Sequence, residues 1–226
     1  MAAATPKWMA LESSPEPITK FMSAMGVKGV AASDVLGFDA DSLAVVPRPV
    51  HALLFCFPGF ESFEAKLKAE YEKLSGAAGL EDVFFMKQKI GNACGAFALF
   101  HALANKADVV DLGEGAFKTF LDKAKKLSPD ERSAALAADQ KLAEAHKECA
   151  VSGETDPDTV EHHFICFVHK NGRLVEIDSG APFPRDRGAT TADKWLADAS
   201  AVCMQHFAKD IPNNLGFSAI AIHASQ

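Results

Sequence analysis

No stretch of this 226-residue chain is apolar enough to span a bilayer. Its longest strongly apolar run, HALLFCF at residues 51–57, falls far short of the ~20 residues a membrane helix needs. Excess positive charge is also lacking. The formal net charge is −7, which argues against general nucleic-acid binding and suits a cationic partner. The first residues, MAAATPKWMALESSPEP, have no basic start followed by an apolar core, so no signal peptide is expected. The five cysteines are odd in number and unpatterned, which points to reduced thiols in a cytosolic or nuclear setting. No CxxC or HxxxH pair occurs, so no zinc site and no metal or cofactor is expected. There is no internal repeat and no low-complexity segment. What remains is ordinary globular composition, 48% apolar and 23% charged, with no seam, so one domain over residues 1–226 is expected.

Periodicity and turn residues divide the chain into mixed elements. SSPEPITKFMSAMGV reads as a helix with Pro15 at its start. Val50 to Phe57 reads as a buried strand ended by Pro58-Gly59. FESFEAKLKAEYEKLSG reads as an amphipathic helix stopped by Gly76, and DVFFMKQ as a short strand. NACGAFALFHALANK, apolar on nearly all sides, reads as a central buried helix. GAFKTFLDKAKKL is a further helix. SPDERSAALAADQKLAEAHKECA is another, opened by a capping box of Ser128 and Glu131. Residues 151–161, VSGETDPDTVE, are polar and turn-rich and read as an exposed loop. HFICFVHKNGRLVEID reads as a hairpin around Asn171-Gly172. TTADKWLADASAVCMQHFAKD is a last helix and GFSAIAIHA a closing strand. Without a regular βαβ repeat, this is α/β with a mostly antiparallel sheet wrapped by helices.

Candidate chemistry starts from the hairpin. A two-residue turn at Asn171-Gly172 makes paired residue numbers sum to 343. His163 and Asp178 then share one sheet face as diagonal neighbours, roughly 7–8 Å apart at the backbone. A carboxylate there fixes the imidazole tautomer and favours the imidazolium. Cys94 follows Asn92, a good N-cap, and so belongs in the first turn of the buried helix. Unpaired N–H groups and the helix dipole favour a thiolate at that place. Gly91, Ala93 and Gly95 leave room for a substrate backbone. Gln88 is an amide donor just upstream. With the Cys94 N–H it makes a candidate oxyanion hole, worth about 3 kcal/mol per donor. Thiol, imidazole, carboxylate and amide together form a cysteine-hydrolase set. The plain alternative is that Cys94 is a small core residue.

At these residues the chain resembles the ubiquitin C-terminal hydrolase family of papain-like cysteine deubiquitinases, closest to its small single-domain members. The matching stretches include LESSPEPITKFM, VPRPVHALLFCFP, FMKQKIGNACGAFALFHALAN, SPDERSAAL, HHFICFVHKNGRLVEIDSGAPFP and FSAIAI, in the family's order. The resemblance implies Cys94 as nucleophile, His163 as general base and acid, Asp178 as its orienting partner, and Gln88 as oxyanion donor. It implies a papain-like core with a central antiparallel β-sheet flanked by helices, a knotted backbone, and a crossover loop before His163. That loop looks a few residues short here, which implies tighter restriction of the leaving group. The implied activity is hydrolysis at the C-terminal glycine of ubiquitin or NEDD8, by a monomer, with small leaving groups and ubiquitin precursors as substrates. Glu12, Glu16 and Asp34 match acidic ubiquitin-holding positions, and Glu154, Asp156 and Asp158 add negative charge on the loop. His162 and Cys203 match positions near the substrate. Cys56, Cys149 and Cys166 read as structural thiols, and His101 as a core histidine. A non-catalytic ubiquitin binder and a Cys-His-Asp acyltransferase of another family are the rival readings.

Overall fold

The computed structural model describes residues 6–59, 61–74, 76–150, 162–210 and 216–225. In chain order the elements are α1 (Pro15–Ala24), β1 (Val30–Asp34), α2 (Ala40–Ala44), β2 (Val50–Pro58), α3 (Glu61–Tyr71), α4 (Cys94–Asn105), α5 (Ala116–Ala124), α6 (Pro129–Ala137), α7 (Gln140–Ala150), β3 (His162–Lys170), β4 (Arg173–Ile177), β5 (Arg185–Ala189), α8 (Trp195–Val202) and β6 (Ser218–Ala224). Among the described residues six strands form one sheet in the order β1-β6-β2-β3-β4-β5. Every neighbouring pair is antiparallel. No described helix is long and apolar enough to cross a membrane.

Strand β2 is buried along its whole length, as its unbroken apolar run requires for a strand covered on both faces. Alternation sorts its side chains. Ala52, Leu54 and Cys56 join the core beneath α4 and α1. Leu53, Phe55 and Phe57 join a second core closed by Trp195, Leu196, Ala199 and Phe207. Helix α4 is buried on all sides, so the helix that begins at Cys94 lies inside the molecule. The β3–β4 hairpin keeps the expected register from Lys170↔Arg173 to Cys166↔Ile177. Its turn residues Asn171 and Gly172 have φ of 51° and 72°, the left-handed pair that a tight hairpin demands.

Several expectations are corrected. Residues 82–88, read as a strand, join no sheet. Their peptide groups bond to other partners. Asn105 Oδ1 accepts from Phe84 N–H at 2.8 Å and its Nδ2 donates to Phe84 O at 2.9 Å. His101 Nε2 accepts from Met86 N–H at 2.9 Å, and Arg132 donates to Phe85 O. Apolar side chains bury the segment, but polar side chains replace the ladder. The long helix after Ser128 is two helices. Asp139 interrupts it and accepts from Leu142 N–H at 3.1 Å, starting α7 afresh. The capping box of Ser128 and Glu131 is present. Helix α3 ends at Tyr71, five residues before Gly76. The last helix passes at Cys203 into a π turn over Cys203–Phe207. The loop at 151–161 lies outside the described residues.

Asn105 is 3% exposed and also donates to His101 O at 2.9 Å. Asn105→Ala strands both peptide groups of Phe84 without water, at about 1–3 kcal/mol per buried group. Urea unfolding should show stability lower by roughly 3 kcal/mol with an unchanged slope. A loss under ~1 kcal/mol would show that this clamp does not hold the segment.

Candidate active site

Cys94 is the first residue of α4. The expected cap is wrong in detail. Asn92 has φ of 60°, and the flanking residue is Ala93, with no side-chain cap. The first-turn N–H groups beside the sulfur are therefore left without a capping side chain, which favours an anion there. The Cys94 thiol donates to His162 O at 3.7 Å. It opens on a cavity of 340 Å³ lined by Leu11, Glu12, Cys56, Asn92, His162 and Phe164, among others. The small residues do a different job from the expected one. A Cβ at Gly95 would lie 3.1 Å from Leu11 Cβ and 3.5 Å from the Phe164 ring, and one at Gly91 would meet Lys7. The protein itself takes the space they leave, and α4 packs closer to β3.

His163 is the second residue of β3, and Asp178 follows the end of β4. The undisturbed hairpin register brings them together, with His163 Nε2 2.6 Å from Asp178 Oδ1. Asp178 Oδ1 also accepts from Gly180 N–H at 2.8 Å. With Nε2 held by the carboxylate, Nδ1 is the nitrogen left for Cys94. Burial alone would push His163 down and Asp178 up. The pair reverses both effects. Asp178, with a smaller push from the Cys94 side chain, holds His163 well above the usual imidazole value. His163, with help from the Gly180 N–H, holds Asp178 below the usual carboxylate value. Asp178 is 8% exposed, while the imidazole keeps 25% of its surface and so remains reachable from solvent.

Gln88 is fixed at three points. Its N–H donates to Ser179 O at 2.8 Å, its Oε1 accepts from Ser179 Oγ at 2.8 Å, and its Nε2 donates to Ile90 O at 3.0 Å. A primary amide has two N–H bonds, so one hydrogen on Nε2 remains after the Ile90 bond. Ser179 escaped the sequence reading. Its adjacency to Asp178 was a signal, but its partner lies 91 residues away. His101 is fully buried, and burial lowers it to about 3. It is neutral, accepts through Nε2, and so carries its proton on Nδ1.

The expected substrate contacts separate. Glu12 lines the Cys94 cavity. Glu16 is exposed and paired with Lys20 at 2.6 Å. Asp34 is exposed at the end of β1. His162 is exposed at the mouth of the cavity. Cys203 is corrected: it is fully enclosed in the core that holds Phe55 and Phe207, out of reach of a bound protein. Glu154, Asp156 and Asp158 lie outside the described residues. Cys56 lines the same cavity as Cys94, but burial pushes it up to about 12, so it stays a neutral thiol.

The chain as a whole is similar to known proteins. The family model for ubiquitin carboxyl-terminal hydrolase, family 1, matches residues 8–208. A ubiquitin carboxyl-terminal hydrolase of Drosophila melanogaster is 38% identical over 225 residues, covering 97% of this chain and 98% of that protein. Human ubiquitin carboxyl-terminal hydrolase isozyme L1 is 38% identical over 215 residues, covering 94% of this chain and 96% of its own. In fold, the chain is similar to the catalytic domain of Trichinella spiralis UCH37, solved bound to ubiquitin vinyl methyl ester. The TM-score is 0.81 with 24% identity, covering 99% of this chain and 98% of that one. Matched over most of its length, with a thiol, an imidazole and a carboxylate gathered at one sheet end, the chain belongs to the ubiquitin carboxyl-terminal hydrolase family, family 1.

Proposed function

We propose that this chain is a deubiquitinating cysteine hydrolase. It cleaves ester, thioester, amide and peptide bonds at the C-terminal glycine of ubiquitin. The observation that carries this reading is the 2.6 Å bond from His163 Nε2 to Asp178, which leaves Nδ1 for the sulfur of Cys94. A protonated His163 stabilises a thiolate beside it. That thiolate attacks the glycine carbonyl, and the oxyanion takes hydrogen bonds from the Cys94 N–H and the remaining N–H of Gln88. His163 Nδ1 gives its proton to the leaving amine or thiol, and a thioester to Cys94 remains. His163, now neutral, takes a proton from water, and the resulting hydroxide releases ubiquitin. Glu12 in the cavity wall suits a basic tail approaching Cys94.

The wild-type chain should release fluorescence from ubiquitin 7-amido-4-methylcoumarin under reducing conditions, and Cys94→Ala should fall to background. A silent wild-type would end the proposal. Suicide probes built on ubiquitin and NEDD8, run in parallel, should both place their adduct on Cys94 if the Gly-Gly tail is the recognised element.

Removing the amide donor with Gln88→Ala should lower kcat by about 10²–10³, with KM nearly unchanged. An effect below threefold would remove Gln88 from the oxyanion hole.

Asp178→Asn takes away the charge that holds His163 high, so the imidazole pKa falls. Activity that needs the imidazolium is lost as pH rises through that value. The alkaline limb of kcat/KM should therefore move to lower pH, beside a fall in the maximum. An alkaline limb that stays in place would show that Asp178 does not govern the protonation of His163.

A further inference from the structure

Two cavities lie at this end of the sheet, and His163 lines the larger while its neighbour His162 lines the smaller. Cys56, Phe164 and Cys94 line the smaller one, on the α4 side of the sheet. Alternation puts Phe57 and His163 on the other side. They face each other across β2 and β3, with ring centroids 5.7 Å apart. There a second cavity of 620 Å³ is lined by Phe57, Leu67, Tyr71, His163, Asp178 and Ala181, among others. Its volume lies within the roughly 300–1,000 Å³ of small-ligand pockets. Cys94 does not line it.

We propose that this second cavity is the leaving-group subsite, and that it takes an aromatic or branched apolar group attached to the departing amine or thiol. The inference rests on the hydrolase reading above and adds the class of leaving group. In that reaction the acyl carbon must sit at the sulfur, in the smaller cavity. The C–N bond breaks with its electron pair going to nitrogen, and that nitrogen takes the proton from His163. The proton comes from Nδ1, so whatever the nitrogen carries passes the ring to reach the second cavity, which borders Cε1 and Nε2. The walls there are mostly carbon, from Phe57, Leu67, the Tyr71 ring, Ala181 and Pro182, with the Tyr71 hydroxyl and the His163–Asp178 pair as polar groups among them. The two charges at the rim, Lys68 and Glu72, lie one helical turn apart on α3 and the turn that follows it, and they oppose each other in sign. Neither an acidic nor a basic leaving group gains from them. Gly180 keeps this edge of the cavity clear, since a Cβ there would come within 3.3 Å of Asp178 Oδ1 and 3.8 Å of the His163 ring.

The same subsite must bind an amine that attacks the thioester in reverse. With ubiquitin ethyl ester as acyl donor, added amine competes with water for the Cys94 thioester. Phenethylamine and ethylamine are compared at equal free-base concentration, and the initial ratio of ubiquitin amide to ubiquitin acid is read by mass spectrometry. Phenethylamine should be captured at least tenfold better by the wild-type protein. Leu67→Asp should erase that preference, and the milder Leu67→Ala should reduce it about threefold. Equal capture of the two amines by the wild-type protein overturns the proposal. So does a preference kept in full by a folded Leu67 variant. A wild-type protein that never consumes the ester removes the hydrolase reading itself, which separates that failure from failure of the subsite.

Discussion

The contact between His163 and Asp178 is the constraint around which the rest is arranged. Both groups are taken from water, and burial opposes charge on each. Only mutual attraction at 2.6 Å, supported by the Gly180 N–H, makes the charged pair the stable form. Such a pair adds little over an apolar filling, yet removing one partner typically costs about 3–5 kcal/mol because a lone buried charge remains. The pair therefore contributes more to position than to net stability. It orients one ring nitrogen inward and the other toward the sulfur, so the imidazole enters the reaction already placed.

A single helix supplies the other half of the site. Helix α4 presents Cys94 at its first residue. Two and three turns further on it presents His101 and Asn105 to the segment at 84–86. That segment leads directly into Gln88, which Ser179 grips from the residue after Asp178. Cys94, Gln88, Asp178 and His163 are thus linked in one circuit that closes through α4 and the hairpin. No member can shift far without disturbing a buried hydrogen bond elsewhere in the circuit. Preorganisation of this kind keeps hydrogen-bond donors aimed before charge develops.

The sequence showed most clearly what short-range physics decides. Asn171-Gly172 set a register that held to Cys166↔Ile177 and brought His163 onto Asp178 just beyond it. Ser128, Pro129 and Glu131 announced the start of α6. Where partners came from far along the chain, local signals misled. Residues 82–88 have strand-like side chains, but Asn105, His101 and Arg132 satisfy their backbone, and no local pattern reports that. Asp139 had the chemistry of a helix start, yet good helix formers on both sides concealed it. Asn92 had the chemistry of a cap, but its left-handed φ passed that place to Ala93. Cys203 could be matched to a family position, but only its packing partners in three dimensions show it enclosed.

The position of Asp178 raises a last question, because it stands just beyond the end of a short strand. Strand β4 is flanked outward only by β5, whose sequence RDRGA offers no apolar face. Two cross-strand ion pairs join them, Arg173 with Asp186 and Arg187 with Glu176. The first is open to solvent, so screening and side-chain entropy leave it little holding power. The second is nearly closed, with Arg187 5% and Glu176 2% exposed, and losing either partner would leave an uncompensated charge in the core. Burial pushes Glu176 up while Arg187 pulls it back. The edge strand is therefore held through its middle residue, Arg187, to Glu176, two residues before Asp178. A polar edge strand that would be a poor partner by hydrophobic criteria is anchored where the site needs a rigid strand end.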